Sequence, residues 1–161
     1  MKIGSKLLFM LLVICLNISS ITTYAADEYL GTCVDGSTLT DDNVVTGSTQ
    51  SMLRGVYLGT GNARLTNNGG GVVNVWGNTS CYKTCDQVKV TLHLQRLVNG
   101  NWSTVTTLDT KTAYNTNYVS NSRNVTVTGG YYYRIFGSHV AVKGKTTEST
   151  SSATDGMWVS K

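Results

Sequence analysis

Thiols, imidazoles and carboxylates are the groups in this sequence that could do chemistry. The stretch "CYKTCDQVKVTLHLQRL" places Cys81 and Cys85 four positions apart, directly ahead of an alternating strand. A structural zinc site needs four ligands, and Cys and His come in paired spacings. Outside the N-terminal apolar run, which holds Cys15, only Cys33, Cys81, Cys85, His93 and His139 are on offer, and their spacing fits no such pattern, so no metal is expected. The three residues between Cys81 and Cys85 exceed the two of thioredoxin-like redox sites, and no βαβ pattern surrounds them. A disulfide is the expected use of the pair, worth about 2 kcal/mol in the chain-entropy account. Joining Cys33 to either partner would close a loop of about 50 residues, worth about 4 kcal/mol. Cys81–Cys85 is favoured because both lie in one loop ahead of a rigid strand, while Cys33 lies in a polar lead-in. The role of Cys33 stays open.

His93 alternates onto the wet face of its strand, with no legible nucleophile or acid beside it to work as a catalytic pair. His139 has Ser138 next to it, but neighbours in a strand point to opposite faces, so the two cannot act as base and nucleophile. Paired carboxylates would have to face each other across a cleft. Asp86 and Asp109 fall at strand ends instead, where turns account for them. "GTGNA" and "NNGGG" are rich in glycine, but neither leads into a helix, so a phosphate cradle is not expected. No cofactor is expected either.

These groups belong to a chain whose start reads as a secretory leader. Lys2 and Lys6 precede an apolar run from Leu7 to Leu16, and "NISSITTYAA" closes on small residues. A charged start, a short apolar centre and a small-residue exit describe a signal peptide over residues 1–26. The run is too short for a transmembrane helix, which needs about 20 residues. The remainder is expected to be secreted, with no membrane span after cleavage. The formal net charge of +4 includes Lys2 and Lys6, and the other charges are scattered. A nucleic-acid binder would carry a basic stripe, so no nucleic-acid partner is expected.

Residues 27–50 are polar and read as a flexible lead-in, ahead of a single domain over 51–161. Ser51–Leu58 reads as a first strand, Ala63–Thr66 as a second and Val72–Trp76 as a third, followed by the "GNTSCYKTCD" loop. Val88, Val90, Leu92 and Leu94 alternate with Lys89, Thr91, His93 and Gln95, the period of a half-buried strand. Asn99-Gly100 marks a two-residue hairpin. Trp102–Asp109, Tyr118–Thr128, "YYYRIFGSHVAV" and Met157–Val159 complete the strands, with 143–156 read as a polar loop. No proline occurs and no helical period appears. The expectation is an all-β fold, an antiparallel β-sandwich of seven or eight strands with an immunoglobulin- or fibronectin-like Greek key.

"RGVYLGTGNARLTNNGGGVVNVWGNTSCYKTCDQVKVTLHLQRLVNGNWSTV" with the later "GGYYYRIFGSHVAVKG" resembles a family of small exported proteins of unknown function from spore-forming Gram-positive bacteria. The shared frame covers roughly residues 54–144. The resemblance implies export and a sandwich, and it carries no site residues. "GGYYYRI" also resembles the sixth strand of immunoglobulin-like sandwiches, where a tyrosine anchors a corner.

Two function classes follow. The favoured one is a secreted, non-catalytic binding or surface-interaction module whose partner is a cell-surface glycan or a protein. The alternative is a small secreted hydrolase or toxin-like effector, which would need a site built from His93, His139, Asp86 or Arg134. If Asn99-Gly100 forms a two-residue turn, Leu97 faces Trp102 and His93 faces Thr106. Leu97, Trp102, His93 and Gln95 would then share the wet face as a binding surface. A bulge would instead turn Trp102 into the core.

Overall fold

The computed structural model describes residues 29–49 and 55–161. The region read as a signal peptide, and half of the stretch read as a first strand, lie outside the described residues. The chain is all-β. Its elements are β1 (Cys33–Val34), β2 (Ser37–Thr40), β3 (Val44–Ser48), β4 (Leu58–Asn67), β5 (Val72–Val98), β6 (Asn101–Thr126), β7 (Tyr131–Lys143), β8 (Thr146–Ala153) and β9 (Gly156–Val159).

One long hairpin organises the rest. β5 and β6 run antiparallel from Val72↔Thr126 to Val98↔Asn101. At the tip Asn99 and Gly100 take φ of 50° and 77°, the positive values that a type I′ turn requires at both central residues. Halfway along, the ladder steps from Ser80↔Tyr118 to Cys85↔Thr116, so β5 carries extra residues that β6 does not match. Asn115 on the facing strand adopts a φ of 49°. A bulge bends its strand and strengthens the local twist, and here it divides the hairpin into two legs. "GNTSCYKTCD" is therefore bulged strand, not loop.

β4 pairs with the first leg of β5, and β7 pairs with the second. The legs pack against each other over one core. Val73, Val75, Ala63 and Leu65 come from one side, and Val88, Val90, Leu92, Leu94 and Ile135 from the other. All four alternating residues of 88–94 are fully buried, as their period predicts. The approach of the legs is close: a Cβ on Gly77 would stand 2.6 Å from a Leu92 methyl, and one on Gly61 would stand 2.2 Å from the His139 ring.

The pairing gives one curled sheet in the order β1-β2-β9-β7-β5-β4-β3, with β6 on β5 and β8 on β7. It resembles a half-barrel more than two separate sheets, and β2 meets β9 in parallel. Of the expected antiparallel Greek-key sandwich, the all-β content holds. The Tyr133 hydroxyl donates to the Thr128 carbonyl at 2.7 Å, the geometry of a corner tyrosine.

Two segments read as loop are strand. Within 27–50, β1 and β2 form a hairpin across Asp35-Gly36, whose φ values are 48° and 76°. Leu39 and Val45 are buried and fix β2 and β3 to the core. Within 143–156, β8 runs back along β7 from Lys143↔Thr146 to Phe136↔Ala153. Threonine is a good strand former, and Ser152 is the buried anchor.

Candidate binding face

The outward side of the second leg is polar. The register places Leu97 opposite Trp102 and Gln95 opposite Thr104, as the two-residue turn requires. A bulge between Leu94 and Gln95 then shifts the pairing, so His93 faces Thr107 and not Thr106. Its Nδ1 lies 2.8 Å from the Thr107 hydroxyl, and its ring is 6.2 Å from Phe136. The bulge falls beyond Trp102, so Trp102 stays on the outward face. There it is half-buried, its indole N–H donating to the Val34 carbonyl at 3.0 Å.

Arg134 ties this face together. β7 pairs it with Gln95, and its guanidinium lies over the Trp102 ring at 4.6 Å. Its Nε donates to Gln95 Oε1 at 2.9 Å. Its Nη1 donates to the Asp35 carbonyl and the Ser37 hydroxyl. Its Nη2 donates to the Asp35 carboxylate at 2.8 Å. The Arg134 side chain is only 5% exposed, while that of Asp35 is 77% exposed. A buried cation is tolerable only when it is paired and hydrogen-bonded, and the Asp35-Gly36 turn supplies both. β1 and β2 are thereby held over the end of the hairpin.

Asp35, Gln95, Gly100, Asn101, Trp102, Arg134 and Phe136 line a pocket of about 540 Å³. Of the four residues expected to form a binding face, Gln95 and Trp102 line this pocket and His93 lies beside Phe136. Leu97 instead lines a neighbouring pocket of about 340 Å³ with Tyr131, Tyr132 and Trp158. Sequence reasoning missed Asp35, Asn101 and Phe136. For Asp35 the signal was present, because Asp-Gly is as strong a hairpin mark as the Asn-Gly that was used.

Most of the other reactive groups are enclosed, Cys33 excepted. His139 is fully buried, with Nδ1 at 2.9 Å from the Thr79 hydroxyl and Nε2 at 2.8 Å from that of Ser152. Thr79 spends its own proton on the Lys89 carbonyl, so it accepts from Nδ1–H, and Ser152 donates to Nε2. Burial lowers the His139 pKa to about 4 and keeps the ring neutral. A serine on a histidine nitrogen is a nucleophile's arrangement, yet Ser152 is itself only 4% exposed.

Cys81 and Cys85 bracket the bulge as free, buried thiols, and Cys33 is free and exposed. The expected Cys81–Cys85 disulfide is thus not formed in this structure. Burial, then the hydrogen bond with Cys85, pushes the Cys81 thiol up to about 12. A thiol held protonated in this way is a poor nucleophile. Among the described residues no cluster of His, Cys, Asp or Glu could hold a metal. No helix among them is long and apolar enough to cross a membrane.

No curated protein matches the chain. A family profile described as "Family of unknown function (DUF6147)" matches residues 25–157. The match spans most of the sequence, and the chain belongs to the DUF6147 family.

Proposed function

We propose that this chain is an exported, non-catalytic binding module that contacts a cell-surface glycan or protein through the outward face of the second hairpin leg. The observation that carries the reading is the Asp35–Gln95–Trp102–Arg134 pocket. Two aromatic rings and four convergent polar side chains meet there on a rigid sheet, the kinds of group that orient a ligand in a site. Export rests on the charged, apolar and small-residue pattern of the first residues. In this reading the two legs of the bent hairpin act as the layers of a sandwich-like scaffold, and the host is a Gram-positive spore former.

Co-sedimentation with insoluble bacterial envelopes tests the proposal. Saturable binding without release of soluble fragments is expected. Release of fragments that stops on His93→Ala would replace the module with the hydrolase alternative. Absence of binding would remove the proposal.

A further inference from the structure

We propose that the pocket at Trp102 takes a neutral, hydroxyl-rich ligand, a sugar unit of a polysaccharide; this rests on the reading of the chain as a binding module. The argument comes from which polar atoms are already spent. A guanidinium has five N–H donors and no acceptor. Every nitrogen of Arg134 is engaged, on Gln95, Ser37 or Asp35. Its charge is matched by the Asp35 carboxylate. Four of the five N–H groups are thus spent, and an anionic ligand reaching for the fifth, on Nη2, would meet the Asp35 carboxylate that Nη2 already holds. A cationic ligand would have to compete with Arg134 for the same carboxylate.

What remains is a mixture of donors and acceptors. The bond from Arg134 fixes the Gln95 amide with Oε1 inward, leaving Nε2 as a donor. Asn101 spends its Nδ2 on the Asn99 carbonyl, leaving Oδ1 as an acceptor. Asp35 presents a second carboxylate oxygen on an exposed side chain. A hydroxyl is both donor and acceptor, and neighbouring hydroxyls on a ring can meet such a mixed set without bringing charge. Trp102 and Phe136 add apolar surface for the C–H side of a sugar ring. The volume of about 540 Å³ falls within the range of small-ligand sites, about 300–1,000 Å³.

A polymer fits better than a lone sugar because the face continues. Thr104 and Thr107 pair with Gln95 and His93, and the Thr110 hydroxyl meets that of Thr91 at 2.7 Å. All three β6 threonines are exposed. The outward side of the leg thus offers a row of hydroxyls leading away from the pocket.

Affinity electrophoresis of the full chain tests the ligand class, with gels holding laminarin, yeast mannan or soluble starch as neutral polymers and polygalacturonate as an anionic one. Gln95→Glu keeps the acceptor for Arg134 but removes the free donor, and Asn101→Ala removes the free acceptor, giving up only one exposed bond to Asn99. At least one neutral polymer should slow the protein, and each variant should lose about tenfold in affinity, the effect of one unmade hydrogen bond. Thermal unfolding of both variants should match the parent. Retardation by polygalacturonate alone, or by a neutral polymer with both variants unaffected, would overturn the inference. If no polymer slows the protein while it still sediments with envelopes, the ligand class fails and the binding module stands. If it does neither, both fail.

Discussion

Lowering the pH from 7.5 to 4 should weaken this fold through one side chain, His139. Its ring is sealed between the two legs and bonded as the neutral tautomer to Thr79 and Ser152. Burial takes its pKa from 6.5 to about 4 in the folded chain. Above 6.5 the ring is neutral whether the chain is folded or not, and its contribution to stability is complete. As the pH falls through 6.5, the unfolded chain takes up a proton that the folded chain refuses. Stability then drops by about 1.4 kcal/mol per pH unit until the folded ring also titrates near 4, a loss of about 3 kcal/mol. The carboxyls cooperate only lower down. The Lys143 hydrogen bond, then the Gly144 N–H, holds Asp86 below its usual range. Partial burial pulls Glu148 upward, but the N–H groups of Leu58, Val56 and Tyr57 outweigh it and hold the carboxyl low. Their stabilisation is complete above the unfolded carboxyl range, near about 4, and is lost only beneath it. Urea unfolding followed by tryptophan fluorescence at several pH values measures the slope, with His93→Gln as the background so that one histidine remains. A flat stability between pH 6.5 and 4.5 would refute the sealed neutral ring.

Three further outcomes follow from the same geometry. Gly61→Ala places a Cβ against the His139 ring and should cost on the order of 3 kcal/mol, the upper range of overpacking, read as a lowered urea midpoint. Gly100→Ala at the hairpin tip forces a side chain into a φ of 77° and should cost about 1 kcal/mol with no change in the ladder, seen in thermal unfolding and amide shifts. In the reduced native protein, Cys33 should react quickly with iodoacetamide, while buried Cys81 and Cys85 react only on unfolding; mass mapping of the alkylated peptides checks this.

Local signals in the sequence held where one residue's neighbours decide its structure. The alternation from Val88 to Leu94 fixed which face is buried, and Asn99-Gly100 fixed the register that puts Leu97 against Trp102. The polar strands were not legible in the same way. β2, β3 and β8 have one or two buried anchors each, such as Leu39, Val45 and Ser152, too few to make a hydrophobic period. Their order comes from pairing with partners far away in the chain. The bend in β5–β6 was hidden for a related reason: extra residues between Ser80 and Cys85 look like a loop until the opposite strand is known. The site itself depends on such long-range placement. Arg134 and Asp35 meet only because β2 is docked on β9 and β9 on β7, and no spacing within either segment announces it.

The claim that the Trp102 pocket is the contact site is tested most directly by the three tryptophan indole N–H signals in a ¹H–¹⁵N spectrum. Solubilised envelope fragments are titrated into the labelled full chain. The Trp102 signal, from a ring that lines the pocket and whose N–H is bonded to the Val34 carbonyl, should shift saturably. Trp76, on the first leg under Arg64, should stay in place. A saturable shift of Trp76 with Trp102 unmoved would put the contact on the other leg and contradict the account.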